Sequence, residues 1–182
     1  MRLLARATAA MVTCCVYCVS ALGDDWPQWL GPQRDSIWRE KGIVETFPQQ
    51  GLTIRWRAPV AGGYAGPAVV GNRVYVTDYV RASGDAQNDS SRRTRSEGRE
   101  RALCLDAADG TLVWKHEYDC PYHVSYPAGP RVTPTVAGGK VYTLGAMGNL
   151  GRKVVWSHPA FANRSLYARN DKELVCVSLA VE

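Results

Sequence analysis

Phenylalanine is nearly absent from this chain, with two residues in 182 against six tryptophans and nine tyrosines. Large amphipathic rings suit pleated, half-exposed surfaces, so the bias points to sheets and away from a helix-rich bundle. Concentrated charge is missing as well. The formal net charge of +5 is spread along the sequence and falls to +3 without Arg2 and Arg6, which leaves no electrostatic footprint for nucleic acid. Apolar runs long enough to span a bilayer are absent: the run from Ala7 to Val19 is too short. Arg2 and Arg6 precede that run and the small residues Ser20, Ala21 and Gly23 follow it, the pattern of a secretory signal over residues 1–23. The mature chain is expected to start near Asp24, to be periplasmic or secreted, and to have no membrane span after cleavage. Cys14, Cys15 and Cys18 do not follow a small-residue box, which disfavours a lipid anchor.

Cysteine is also scarce in the mature chain. Loss of the signal leaves Cys104, Cys120 and Cys176, an odd number that implies no complete disulfide framework. Cys104 and Cys176 occupy matching places in Leu103-Cys104-Leu105 and Val175-Cys176-Val177, where a small buried hydrophobe is expected. Cys120 is expected to be buried in a loop. His116, His123 and His158 have neither metal-ligand spacing nor a nucleophile-base motif around them.

Internal repetition dominates what is present. Pro67 to Val76 aligns with Pro134 to Thr143 and, more loosely, with Pro159 to Ala168. Each reads strand, tight turn, strand, with turns at Gly71-Asn72, Gly138-Gly139 and Asn163-Arg164. Ala102 to Trp114 reads as a further hairpin, in which Asp106 and Asp109 bond turn amides and Gly110 supplies a left-handed conformation. Two such hairpins in series make a four-stranded antiparallel sheet, one blade of a β-propeller. Between them, residues 80–101 are polar and without period, so they are expected to form a solvated insertion loop, the Arg92-Arg93-Thr94-Arg95 cluster included.

The ends of the chain complement one another. Leu174 to Ala180 copies a third-strand pattern with no fourth strand after it, and Leu52 to Trp56 has a fourth strand's pattern with nothing before it. The N-terminal strand is therefore expected to complete the last blade, which removes an open edge. The expected fold is all-β, a partial β-propeller of about two and a half four-stranded antiparallel blades over residues 51–182, preceded by an irregular arm over 24–50. The middle repeat is short by about ten residues, judged against the first, which suggests an internal deletion or join near Leu150-Gly151.

The Leu-Asp-Ala-x-x-Gly-x-x-x-Trp tail, present from Leu105 to Trp114, resembles the pyrroloquinoline-quinone-like (PQQ-like) propeller repeat. The segment Asp25-Trp26-Pro27-Gln28-Trp29-Leu30-Gly31-Pro32-Gln33-Arg34-Asp35 resembles the N-terminal signature of its exported, non-dehydrogenase, planctomycete-type branch. In the dehydrogenases of this broad group, the resemblance implies a quinone on the propeller axis with a calcium ion, a catalytic Asp and an adjacent-cysteine disulfide. The one Cys-Cys pair here, Cys14-Cys15, lies in the signal, and Asp106 and Asp109 are explained by their turn. No catalytic, cofactor-binding or metal residue is assigned. Trp26, Trp29 and Trp38 are expected to pack the arm on the propeller, and Trp56, Trp114 and Trp156 to wedge between blades. The function expected is a noncatalytic exported scaffold or binding module, with a protein partner or self-association through exposed blade faces. The alternatives are a fragment of a quinone-dependent dehydrogenase-like protein and a nonfunctional truncated propeller.

Overall fold

The structure, a computed structural model, describes residues 23–84, 91–145, 160–169 and 172–180. Residues 1–22 of the signal segment, residues 85–90 of the expected insertion loop, the Leu150-Gly151 junction, Trp156 and His158 lie outside the described residues. Every regular element described is a β-strand and every pairing is antiparallel.

Four strands make the first sheet: β1 (Ile54–Pro59), β9 (Ala160–Ala162), β10 (Ser165–Arg169) and β11 (Glu173–Ser178), in the order β1-β11-β10-β9. The first strand of the chain thus lies along the last, with Trp56 opposite Cys176. The Ser178 amide also donates to the Thr53 carbonyl at 3.0 Å. The complementarity of the two incomplete patterns is realised as backbone pairing, and β11 gains a neighbour on both sides. Asn163 and Arg164, which turn β9 into β10, both have positive φ, 53° and 49°, the conformation a two-residue hairpin needs to match strand twist.

The second sheet contains β2 (Ala68–Val70), β3 (Arg73–Gly84), β4 (Thr94–Asp106) and β5 (Leu112–Asp119), in that order. A short β6 (Tyr122–Val124) pairs with the start of β4. Within the span 80–101, residues 80–84 and 94–101 are strand and not the insertion loop expected from their polarity. The β3–β4 ladder runs on through Val80 opposite Arg99, Arg81 opposite Gly98 and Gly84 opposite Ser96. This far end stands clear of the core, so its side chains are largely polar while its backbone stays paired; apolar alternation marks burial, not strand pairing. A third, two-stranded sheet is formed by β7 (Thr135–Ala137) and β8 (Lys140–Tyr142).

The core lies between the two larger sheets. Trp56, Tyr167, Leu174 and Cys176 of the first meet Val74, Val76, Leu103, Leu105 and Ala107 of the second. The short strands β9, β2 and β7, one from each sheet, lie side by side. Polar ties cross the same boundary. The Trp56 indole donates to the Ala107 carbonyl at 3.0 Å, and the Arg169 guanidinium donates to the carbonyls of Thr77 at 2.7 Å and Ala61 at 2.5 Å.

The arm before β1 has no regular strand, but it is tied down. Trp26 exchanges backbone hydrogen bonds with Val69, and Val44 donates to the Leu179 carbonyl. Trp26 and Trp38 both pack on Phe161, with ring centroids 5.7 and 5.1 Å apart. Trp29 departs from the expectation for the arm and stands about half exposed.

Candidate functional site

Asp106 and Asp109 hold the β4–β5 turn. Asp106 accepts from the Ala108 amide at 2.9 Å and from the side chains of Asn72 and Arg73. Asp109 accepts from the Thr111 amide and hydroxyl, contacts that lower its pKa below the ordinary carboxylate value. Gly110 has φ of +76°, and its α-carbon lies against the Trp56 ring, so close that an added Cβ would come within 2.5 Å of it. His116 and His123 are exposed on strands β5 and β6. Cys104, Cys120 and Cys176 are all buried and unbridged, as expected for each.

The most developed polar cluster was not legible as a motif. It sits beyond the core, where β3, β4, β5 and β6 come together. Glu100 on β4 is 2 % exposed, and its carboxylate accepts hydrogen bonds from the phenols of Tyr118 on β5 and Tyr122 on β6. Tyr79 on β3 packs against Tyr122, with ring centroids 4.5 Å apart and planes inclined by 59°, and Cys120 belongs to the same buried group. Pairing register assembles these residues: Glu100 lies opposite both Tyr79 and Tyr118, and the break after β5 at Cys120-Pro121 brings Tyr122 back toward β4. Nothing local in the sequence links positions 79, 100, 118 and 122. The one available signal was a glutamate on the face that also carries Ala102 and Cys104.

Burial and the Glu100 carboxylate act together on the cluster's acids. Burial is the larger cause, and both raise Tyr118 and Tyr122 well above the ordinary phenol value. The same pair of effects pushes the Cys120 thiol up to about 11. At neutral pH the phenols and the thiol stay protonated; a thiol held in that form is a poor nucleophile. A water-sized cavity lies beside Glu100, bounded by Thr77, Tyr118, Leu144 and Gly145. Thr77 Oγ1 is buried there with no protein partner.

A second buried acid, Asp78, lies on the face of β3 toward the first sheet. It is fully buried, held by the Arg101 guanidinium at 2.8 and 2.5 Å and by the Ala61 amide at 2.6 Å. Nearby, Arg131 places its guanidinium over the rings of Tyr64 and Tyr126, 4.7 and 4.1 Å from their centroids, and donates to the carbonyls of Gly129 and Pro127. Calcium takes six to eight oxygen ligands. Among the described residues no three of His, Cys, Asp and Glu converge, and both buried carboxylates are already committed to protein donors.

The two large sheets share one more feature. Tyr167, Cys176 and Trp56 lie side by side across β10, β11 and β1; Tyr75, Cys104 and Trp114 lie side by side across β3, β4 and β5. The first row is covered by the second sheet, which leaves Trp56 8 % exposed, whereas Trp114 is 39 % exposed. Trp114 is therefore not the buried wedge its repeat position suggested. Comparison of the chain with protein-family models, curated proteins and solved structures finds no match.

Proposed function

We propose that this chain is a noncatalytic exported module of PQQ-like propeller type, whose sheets serve as a scaffold and binding surface in the periplasm or outside the cell. The duplicated Tyr-Cys-Trp row carries this reading. Two sheets present the same row in the same register, with the tryptophan of one row enclosed and that of the other exposed. Such a repeated row supports a reading of the two sheets as consecutive propeller blades, each face docking on the next. At the second row Cys104 is buried but Trp114 stands exposed, and an exposed tryptophan is typical of protein-binding sites. The Arg2 to Gly23 pattern supports export.

The buried polar groups support a structural role. Asp78 and Glu100 are each enclosed by donors from neighbouring strands, which favours one strand register over its alternatives. The test is reconstitution of the chain with pyrroloquinoline quinone and calcium, followed by dye-linked alcohol and sugar oxidation and by the absorbance of the dialysed protein. No turnover and no retained quinone band are expected. Turnover, or a stoichiometric bound band, would replace the scaffold reading with a dehydrogenase.

A further inference from the structure

We propose that β5 is a self-pairing edge through which two copies of this chain join antiparallel, making one continuous sheet across a two-fold axis at His116. The inference rests on the binding-module reading and names its partner as a second copy.

β5 is an end strand of the second sheet, and no described strand pairs with its free edge. An unpaired edge offers a row of backbone donors and acceptors to another strand. Its side chains are unusually apolar for such a place: Leu112, Val113, Trp114 and Tyr118 are each between 39 % and 55 % exposed. The bulge that often blunts an edge lies at one end, where Cys104 pairs with Trp114 and Leu105 with Leu112, and Trp114 to Asp119 pairs without interruption.

The sequence of the strand selects the partner. Antiparallel pairing centred on His116 sets Trp114 opposite Tyr118 of the second copy, and Lys115 opposite its Glu117. Directly opposed residues point to the same side, so an aromatic pair forms on one face and an ion pair on the other. Within one chain, Lys115 and Glu117 already lie 3.2 Å apart on that face, with Arg99 beside Glu117 at 2.8 Å; the second copy extends this alternation of charge. An end strand of the first sheet, β1, lacks such complementarity. Centred on Trp56, its self-pairing would oppose Arg55 to Arg57, and Pro59 has no amide to donate.

The experiment uses the full chain with Cys14, Cys15 and Cys18 replaced by serine, so that its remaining thiols are the buried ones. Sedimentation of this parent is expected to show a concentration-dependent species of twice the monomer mass. His116→Cys, mildly oxidised, is expected to give a disulfide-linked dimer, because opposed Cα atoms about 4.5–5.5 Å apart fall within disulfide range. Asp119→Cys would sit roughly 20 Å from its own copy in this register and should stay unlinked. A parent that remains monomeric overturns the proposal, as does a dimer in which Asp119→Cys links as well as His116→Cys. Those failures leave the noncatalytic reading standing, since that reading is judged by quinone binding and turnover.

Discussion

Replacing Gly110 with alanine probes the contact on which the packing of the two large sheets turns. Two costs add at this position. Gly110 has φ of +76°, and holding an L-residue in the left-handed region costs about 1–2 kcal/mol. The new methyl would also lie 2.5 Å from Trp56 Cε3 and 2.8 Å from Cδ2. Relieving that overlap displaces a ring held by the hydrogen bond to the Ala107 carbonyl, at a further cost of about 1–3 kcal/mol. Gly71 provides the control. Its φ is +55°, it lies in the same sheet, and an added Cβ meets nothing within 4 Å, so Gly71→Ala carries only the backbone cost of about 1–2 kcal/mol.

Urea unfolding followed by far-ultraviolet circular dichroism should therefore rank Gly110→Ala below Gly71→Ala by about 1–3 kcal/mol. Trp56→Ala is destabilising by itself, by about 3–5 kcal/mol. In that background the ring is gone, and Gly110→Ala should fall back to its backbone cost, giving a coupling of about 1–3 kcal/mol in the double-mutant cycle. Equal costs at the two glycines, or an additive cycle, would refute the docking of Trp56 on this turn.

Arg101→Ala leaves the fully buried Asp78 carboxylate without its counter-charge and should cost about 3–5 kcal/mol. Arg95→Ala, which removes an exposed ion pair with Glu97, should cost less than about 1 kcal/mol; similar unfolding midpoints for the two variants would contradict the assigned burial. The pH dependence on the alkaline side follows from Cys120, whose thiol is raised from an ordinary 9.0 to about 11. Below pH 9 neither state loses the proton; between pH 9 and 11 the unfolded chain loses it while the folded chain keeps it, so stability falls through this window. The midpoint in urea should drop from pH 9 to 11 and drop less in Cys120→Ala, and an identical decline in both proteins would exclude the thiol as a contributor. Native Cys104, Cys120 and Cys176 should alkylate far more slowly than in urea at pH 8, because all three are buried with raised pKa values; equal rates would contradict their enclosure.

Local chemistry alone determined the hairpins of this protein. A two-residue turn is set by backbone conformation within a few positions, so Asn163-Arg164, Gly138-Gly139 and the Asp106 to Gly110 turn were legible in the sequence. The pairing of β1 with β11 was legible too, because two incomplete patterns at opposite ends complement each other. Tertiary structure decided the rest. Arg81 to Gly84 and Thr94 to Arg101 are strand because their backbone continues a ladder begun by apolar residues, which their own polar side chains do not signal. The Glu100, Tyr118 and Tyr122 cluster exists only once register sets distant positions opposite one another. Trp56 and Trp114 hold the same place in their repeats, yet one is enclosed and the other open, because burial depends on the neighbour that packs against a residue and not on the residue itself.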